Sequence, residues 1–487
     1  MATACGIEFS DFGFNAAVAT DGGPPKVVLA ESNGDWPGFA AWDGEKLVFG
    51  RDAERRSRLQ PRAASHTFWE LLSLAPSDLE GPAKVPAYSE LAYAFLKEFW
   101  ADLQARAGKP DSVSFAMPGQ ILGDENEEGA GVGLILAMAR DLGIPLTNLG
   151  GLSTATLNDP ESTTGLGSDR ILYLDLHLHS AVMSLLDNDG AGKMHRRRHL
   201  RLPRLGYVPL IQGLQRAMAN RFLRATAFDV TAQRALDQEF YEQTREQLLD
   251  ASHGTDIRYS IQTASRIHQA AFPRETLLRD LLPIENGWAD AAVKFLRDGA
   301  LAPKDVVVAV SSRGRILPGL HDALAARGFS KIVKISEGAA ARGAARFAAD
   351  LKVCADVSEV PVITEVAVAA VSLAGTGAVQ LQHLAAAQVK PGMMASHLVS
   401  DGAAYSLHAL PERLSGVGNE APAIGSLARL GEIKVLLTRS AGEWQIEVPE
   451  SGVSPVRVVP GDRVRLRASD GAEVELAVVA ECRPGQG

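Results

Sequence analysis

Two carboxylates stand at the ends of apolar runs in this chain. Glu8 closes Gly6-Ile7-Glu8 and is followed by Ser10, Asp11 and Phe12. Asp175 closes Ile171-Leu172-Tyr173-Leu174 and is followed by His177, Leu178 and His179. A carboxylate at the turn between two strands can serve as a ligand to a divalent metal ion. The imidazoles widen the chemistry. His177 and His179 are two positions apart, so on a strand they share one side. With Asp175 and Glu8 nearby they could hold a divalent metal. Alternatively they plug the space and hydrogen-bond across it, since a zinc site usually has a third clear ligand. A further polar run, Ser311-Ser312-Arg313-Gly314-Arg315, directly follows the apolar segment 305–310.

Other charged runs lend themselves to plainer readings. His195-Arg196-Arg197-Arg198-His199-Leu200-Arg201, with Arg204, could grip an acidic partner or nucleic acid; an exposed strand of alternating arginines with no specific ligand is the leading reading. Arg51, Arg55, Arg56, Arg58 and Arg62 form a second basic cluster, read as surface. Asp187-Asn188-Asp189-Gly190 suggests a calcium loop, but the spaced carboxylates that should follow are missing, and a hairpin turn fits better. Cys5, Cys354 and Cys482 lack metal-ligand spacing and read as thiols in a reducing compartment.

These groups need a scaffold. At 487 residues the chain is long enough for two or three domains, and 46% apolar with 22% charged residues is ordinary for a soluble globular protein. The net charge of −9 argues against bulk binding of nucleic acid. No apolar run reads as a membrane span or a secretory leader, so a cytoplasmic location is expected. Strands are expected at 6–9, 15–20 and 26–31, a helix over 88–107 where Leu91, Phe95, Phe99 and Leu103 recur every four residues, a buried strand at 112–117 and a helix over 131–142. The order then returns: strands at 171–174, 181–186 and 194–202, helices over 210–223, 231–249 and 289–297, a strand at 305–310, a helix over 317–326, a strand at 331–335 and an alanine-rich helix over 337–351. After 352 the texture changes to short strands between glycines and prolines, with Asp470-Gly471 as a hairpin signal. The reading is therefore an α/β region, 1–352, in halves of about 1–165 and 166–352, followed by a β-rich, sandwich-like domain at 353–487. Duplication on this scale resembles the actin-like (ribonuclease H-like) nucleotide-binding fold of two lobes.

Ordered motifs sharpen that resemblance. Gly6-Ile7-Glu8-Phe9, Phe49-Gly50-Arg51-Asp52-Ala53, Phe115-Ala116-Met117-Pro118-Gly119, the 137–144 helix, Asp175-Leu176, Ser311 through Pro318 and Glu337 through Ala345 are similar, in order and spacing, to motifs of the heat-shock protein 70 (DnaK-like) family. The resemblance spans roughly 4–352 and implies an ATP cleft between two lobes, with Glu8, Ser10, Asp11, Phe12, Asp175, His177, His179, Ser311, Ser312 and Arg315 at its lining. It also implies a peptide-binding β-domain in the C-terminal region. The family's helical lid after that domain is not read before Gly487.

The departures fall on the phosphate site. Ser10-Asp11-Phe12 stands where the family has glycine and threonines, and Asp11 would turn a negative charge toward phosphate. His177, Leu178 and His179 stand where it has three glycines, which let backbone approach phosphate closely. No lysine occurs in 67–72, Gly151 takes the place of a glutamate, and Ser311-Ser312 replaces a glycine pair. Phosphoryl transfer is mostly positioning and charge neutralisation, so these losses together predict that ATP hydrolysis is gone. The expected function is a chaperone-like adaptor or scaffold that binds other proteins, with no membrane or specific nucleic-acid partner. The alternative is an active ATPase chaperone using ATP and magnesium, with Asp175 and Glu8 as its catalytic acids. A small-molecule kinase of the same superfold is a third class, for which no substrate motif is visible.

Overall fold

The computed structural model describes residues 2–28, 36–81, 86–124, 127–128, 131–163, 166, 170–188, 193–249, 256–354, 356 and 359–367. Beyond these it describes strands at 380–384, 397–400, 403–406, 423–426, 434–440, 443–447, 456–458, 463–467 and 473–479. The chain forms two compact units, Met1–Ala370 and Val371–Gly487. The first is mixed α/β.

Its first sheet contains β1 (Thr3–Glu8), β2 (Asn15–Thr20), β3 (Lys26–Val28), β4 (Ser112–Met117) and β5 (Leu146–Gly151). Its second contains β6 (Arg170–Leu176), β7 (Ser180–Asn188), β8 (Lys193–Pro203), β9 (Val307–Val310) and β10 (Ile332–Lys334). In each, three consecutive strands form an antiparallel meander, and the meander's first strand is flanked on its other side by two parallel strands. The strand order 3-2-1-4-5 therefore occurs twice. β1 and β6 are buried on both faces, as strands covered by helices are.

One short segment then joins both sheets. β11 (Val362–Ile363) runs parallel to β5, and β12 (Glu365–Ala367) pairs antiparallel with β8. The first unit thus extends to Ala370, past the boundary at 352 that the change of texture suggested, because backbone pairing there continues after the helical composition stops.

Helix α1 (Tyr88–Ala107) buries the expected stripe of Leu91, Phe95, Phe99 and Leu103. Its first turn is satisfied by the Glu90 carboxylate, which accepts the Ala87 N–H at 2.7 Å, and it stops at Gly108, whose φ of +79° ends the helix. The core of the second half is built by α3 (Tyr207–Thr226), α4 (Arg234–Leu249) and α5 (Arg274–Arg297) around Phe222, Phe240, Tyr259 and Trp288. Helix α5 starts well before the expected 289. Pro283 removes one hydrogen bond, but the apolar stripe Leu277, Leu281, Trp288, Ala292 and Phe295 continues across it and holds the helix together. The hairpin Asp256–Gln262/Ile267–Pro273 and strand β5 add to the elements expected from the sequence.

Two small helices cross between the sheets. α2 (Leu152–Leu157), from the first half, places Leu157 against Ile171, Tyr173 and Leu186 of the second sheet. α6 (Ala339–Asp350), from the second half, lies on the first sheet, where Ala341 and Ala345 pack on Ala17. The approach is so close that a Cβ at Gly6 would sit 2.1 Å from the Ala341 carbonyl oxygen, and one at Gly343 1.7 Å from that of Ala155.

Among the described residues, the second unit contains two antiparallel sheets, one of five strands and one of four. Asp470-Gly471 and Asp189-Gly190 lie outside the described residues, though the strands flanking each pair as hairpins. Among the described residues no helix is long and apolar enough to cross a membrane.

Candidate functional site

Asp175 is the penultimate residue of β6, and the hairpin to β7 is closed by a tight turn in which the His177 N–H donates to the Ser180 carbonyl at 2.9 Å. None of His177, Leu178 and His179 adopts a positive φ, so this turn makes no demand for glycine and accepts three full side chains. The Asp175 carboxylate accepts the Leu176 N–H at 2.9 Å. Its main partner comes from far along the chain. Arg313 lies in a short 3-10 turn, Ser312–Ile316, directly after β9. Its guanidinium forks onto Asp175, with Nε to Oδ1 at 3.0 Å and Nη2 to Oδ2 at 2.7 Å. Its remaining arm, Nη1, pairs with Glu8 at the end of β1.

The cluster continues into the turn after β1. Asp11 Oδ1 is 3.0 Å from His177 Nδ1 and accepts the Leu178 N–H at 3.1 Å. His177 Nε2 lies 3.5 Å from Asp175 Oδ2. Glu8, Arg313, Asp175, His177 and Asp11 thus form one chain of alternating charge across the two halves, and all five are buried. Burial opposes charge on Asp175, His177 and Asp11, and the partners decide the outcome. Burial pushes Asp175 up, but Arg313 and then His177 hold it far below the usual carboxylate range. Burial pushes His177 down, yet its contacts with Asp11 and Asp175 raise it to about 9, so the ring is protonated at neutral pH. Asp11 is likewise lowered, with His177 overcoming the cost of burial.

His179 does not join this cluster. Its Nε2–H donates to the His66 carbonyl oxygen at 2.9 Å, its ring stacks on that of His66 at 4.9 Å, and its Nδ1 is 3.8 Å from Glu70, which also pairs with Arg201. Burial, then the neighbouring His179, depress His66 to about 4. A third group of contacts ties the segment 50–58 to α4. Tyr241 donates to Glu54 at 2.8 Å, Arg58 pairs with Asp237 at 3.1 Å, and Arg51 bridges Glu54 and Glu242. Phe12 packs edge-on against Tyr207 at 5.0 Å. What remains open beside Phe12, Leu178 and Tyr207 is a cavity of about 290 Å³.

The residues singled out in the sequence therefore separate into three places. Glu8, Asp11, Asp175 and His177 converge. His179 belongs to the His66–Glu70 contact, so the weaker metal reading of Asp175, His177 and His179 is corrected: their side chains do not share a centre, and among the described residues no group of three acids, histidines or cysteines is arranged to hold a metal. Ser311, Ser312 and Arg315 line a second cavity, and Arg315 also lines the one beside Phe12, Leu178 and Tyr207. Ser10 is buried beside Asp11, with no hydrogen-bond partner for its hydroxyl among the described residues. The arginines of β8 are partly engaged: Arg198 lies over the Phe295 ring at 4.8 Å, and Arg201 reaches Ser180 Oγ at 3.3 Å. Arg313, the centre of the cluster, escaped the sequence reading, and its only signal was that three acids sharing a buried site need a nearby cation.

This arrangement does not fit a magnesium triphosphate. A guanidinium stands between the two carboxylates that would face the metal, Asp11 is committed to His177, and the Leu178 N–H that could meet a phosphate oxygen is committed to Asp11. Neither a family model nor a curated protein matches this chain.

Proposed function

We propose that this chain is a divergent actin-like protein of the heat-shock protein 70 type that has lost ATP hydrolysis and acts in the cytoplasm as a chaperone-like adaptor or scaffold for other proteins. The twofold strand order, with a small-residue helix from each half crossing to the other sheet, supports the two-lobed ancestry. One observation carries the loss of hydrolysis: Arg313 joins Glu8 to Asp175 where the catalytic metal of an active relative would have to be. A permanent internal cation does a structural job there and releases no proton or phosphate. The many contacts that fasten the two halves together fit a frame that presents surfaces rather than one that opens and shuts on nucleotide.

Thermal unfolding of the full chain with and without millimolar ATP and magnesium tests the reading. A ligand present at a hundred times its dissociation constant would add about 2.7 kcal/mol of stability. The expected result is no shift and no phosphate release. A clear shift that Asp175→Ala removes would instead establish the active ATPase chaperone.

A further inference from the structure

Among the described residues, the hairpin Asp256–Gln262/Ile267–Pro273 is a sheet of its own, so each of its strands is an edge. The two edges are treated differently. On the first strand, Ser260 turns its backbone outward: its N–H donates to Gln243 Oε1 at 2.9 Å, and its carbonyl accepts from Gln243 Nε2 at 2.8 Å. The Gln243 side chain, on α4, thus stands in for a neighbouring strand. In an antiparallel pair, two residues directly opposite either exchange both bonds or turn both pairs of groups outward. Ser260 faces Gln269, so Gln269 also directs its N–H and carbonyl away from the hairpin, and Ile267 and Ala271, two positions to either side, do the same. The turn sets the same alternation from its own end, because the Thr263 N–H donates to the Arg266 carbonyl at 2.9 Å. On this second edge the three donors and three acceptors have no partner among the described residues.

Exposed strand edges are normally protected by charge, a bulge or a proline. Here the register is unbroken, the one proline is the last residue, Pro273, and the exposed side chains Ile267, Gln269 and Ala271 are uncharged. Ile267 is 55% exposed. Arg266, at the strand's start, is held by donation from its Nε to His268 Nε2 at 3.2 Å. The inner face is fixed in place, with Tyr259 in the core and Phe228 stacked on His268 at 3.8 Å. We infer that this edge pairs with the same edge of a second copy of the chain, forming a four-stranded antiparallel sheet about a twofold axis at Gln269. The outward residues are evenly spaced about Gln269, so one register satisfies all of them: Gln269 faces its own counterpart, and each Ile267 faces an Ala271. That register sets neutral side chains together and keeps the two Arg266 residues about 20 Å apart along the strands. An acidic or basic strand would find no counter-charge among the outward side chains of this one, whereas a copy brings the same neutral row. A single edge buries little area, so the dimer is weak and concentration-dependent. It stands on the hairpin alone, whether or not ATP hydrolysis is lost.

Sedimentation velocity of the full chain over about 1–100 µM tests the inference, and monomer passing into dimer is expected. Gln269→Lys and Gln269→Glu each set like charges face to face on the axis and are each expected to weaken self-association about fivefold, while an equimolar mixture of the two regains at least the original affinity. Gln269→Pro removes the N–H on the axis without removing a bond inside the hairpin and is expected to abolish the dimer. A chain that stays monomeric at about 100 µM, a dimer that survives Gln269→Pro, or like-charged variants that associate as well as their mixture would each overturn the assignment. Should the proline variant fail to fold, the lysine and glutamate variants, at an exposed side chain, remain decisive.

Discussion

At the scale of single residues, the weight rests on Arg313. A guanidinium stays charged at any working pH and presents a rigid fork, so one side chain can serve Asp175 with two bonds and Glu8 with a third. Arg313→Ala would take the cation from buried Glu8 and leave buried Asp175 with His177 alone, and a loss of about 3–5 kcal/mol in urea denaturation is expected. Arg313→Lys would recover only part of it, because an ammonium cannot reproduce the fork. His177 makes the pH dependence asymmetric. Its folded pKa of about 9 exceeds the value of about 6.5 in an unfolded chain, so its contribution is complete below about pH 6.5 and is lost as pH rises through about 9. His66 works in the opposite sense. Its folded value of about 4 means that its contribution is complete above about pH 6.5 and is lost as pH falls toward 4. Urea midpoints across pH 4–10 should therefore decline on both sides of about pH 6.5, and His177→Gln should flatten only the alkaline limb.

At the scale of elements, the closest constraint is the crossing of α6 over β1 and α2. Gly343→Ala would force its new methyl against the Ala155 carbonyl, and Gly6→Ala would do the same against Ala341, so each is expected to destabilise by about 1–3 kcal/mol or more. Gly213 in α3 is the control: a Cβ there meets nothing within 4 Å, and Gly213→Ala should be neutral or stabilise by about 0.5–1 kcal/mol. Thermal midpoints of the three variants give the comparison. What could be read in advance follows the same physics. The α1 stripe and both meanders carry their period in the sequence and form where expected; of the expected strand 305–310, residues 307–310 form it. Strand β5 escaped because Asn148, Gly150 and Gly151 have poor strand propensity and are held by parallel neighbours on both sides. The acids of the site could be named because they stand at strand ends. Arg313 could not, because its partners Asp175 and Glu8 lie 138 and 305 positions away and only the folded chain brings them together.

At the scale of the whole molecule, each sheet is finished by chain from the other half. The first receives α6 and β11, and the second receives α2. Fragments 1–165 and 166–370 expressed apart are therefore expected to remain insoluble or unfolded, while joint expression should restore a soluble pair. Circular dichroism of the fragments, alone and mixed, reads this directly. There is also a temporal consequence. The glycine and alanine face of β1 and β2, within 3–20, leaves the ribosome long before the helix that covers it, at 339–350. At about 5–20 residues per second, the nascent chain carries that face uncovered for tens of seconds. Slow translation or a stall in that interval would lower the yield of folded protein without altering a single contact in the finished molecule.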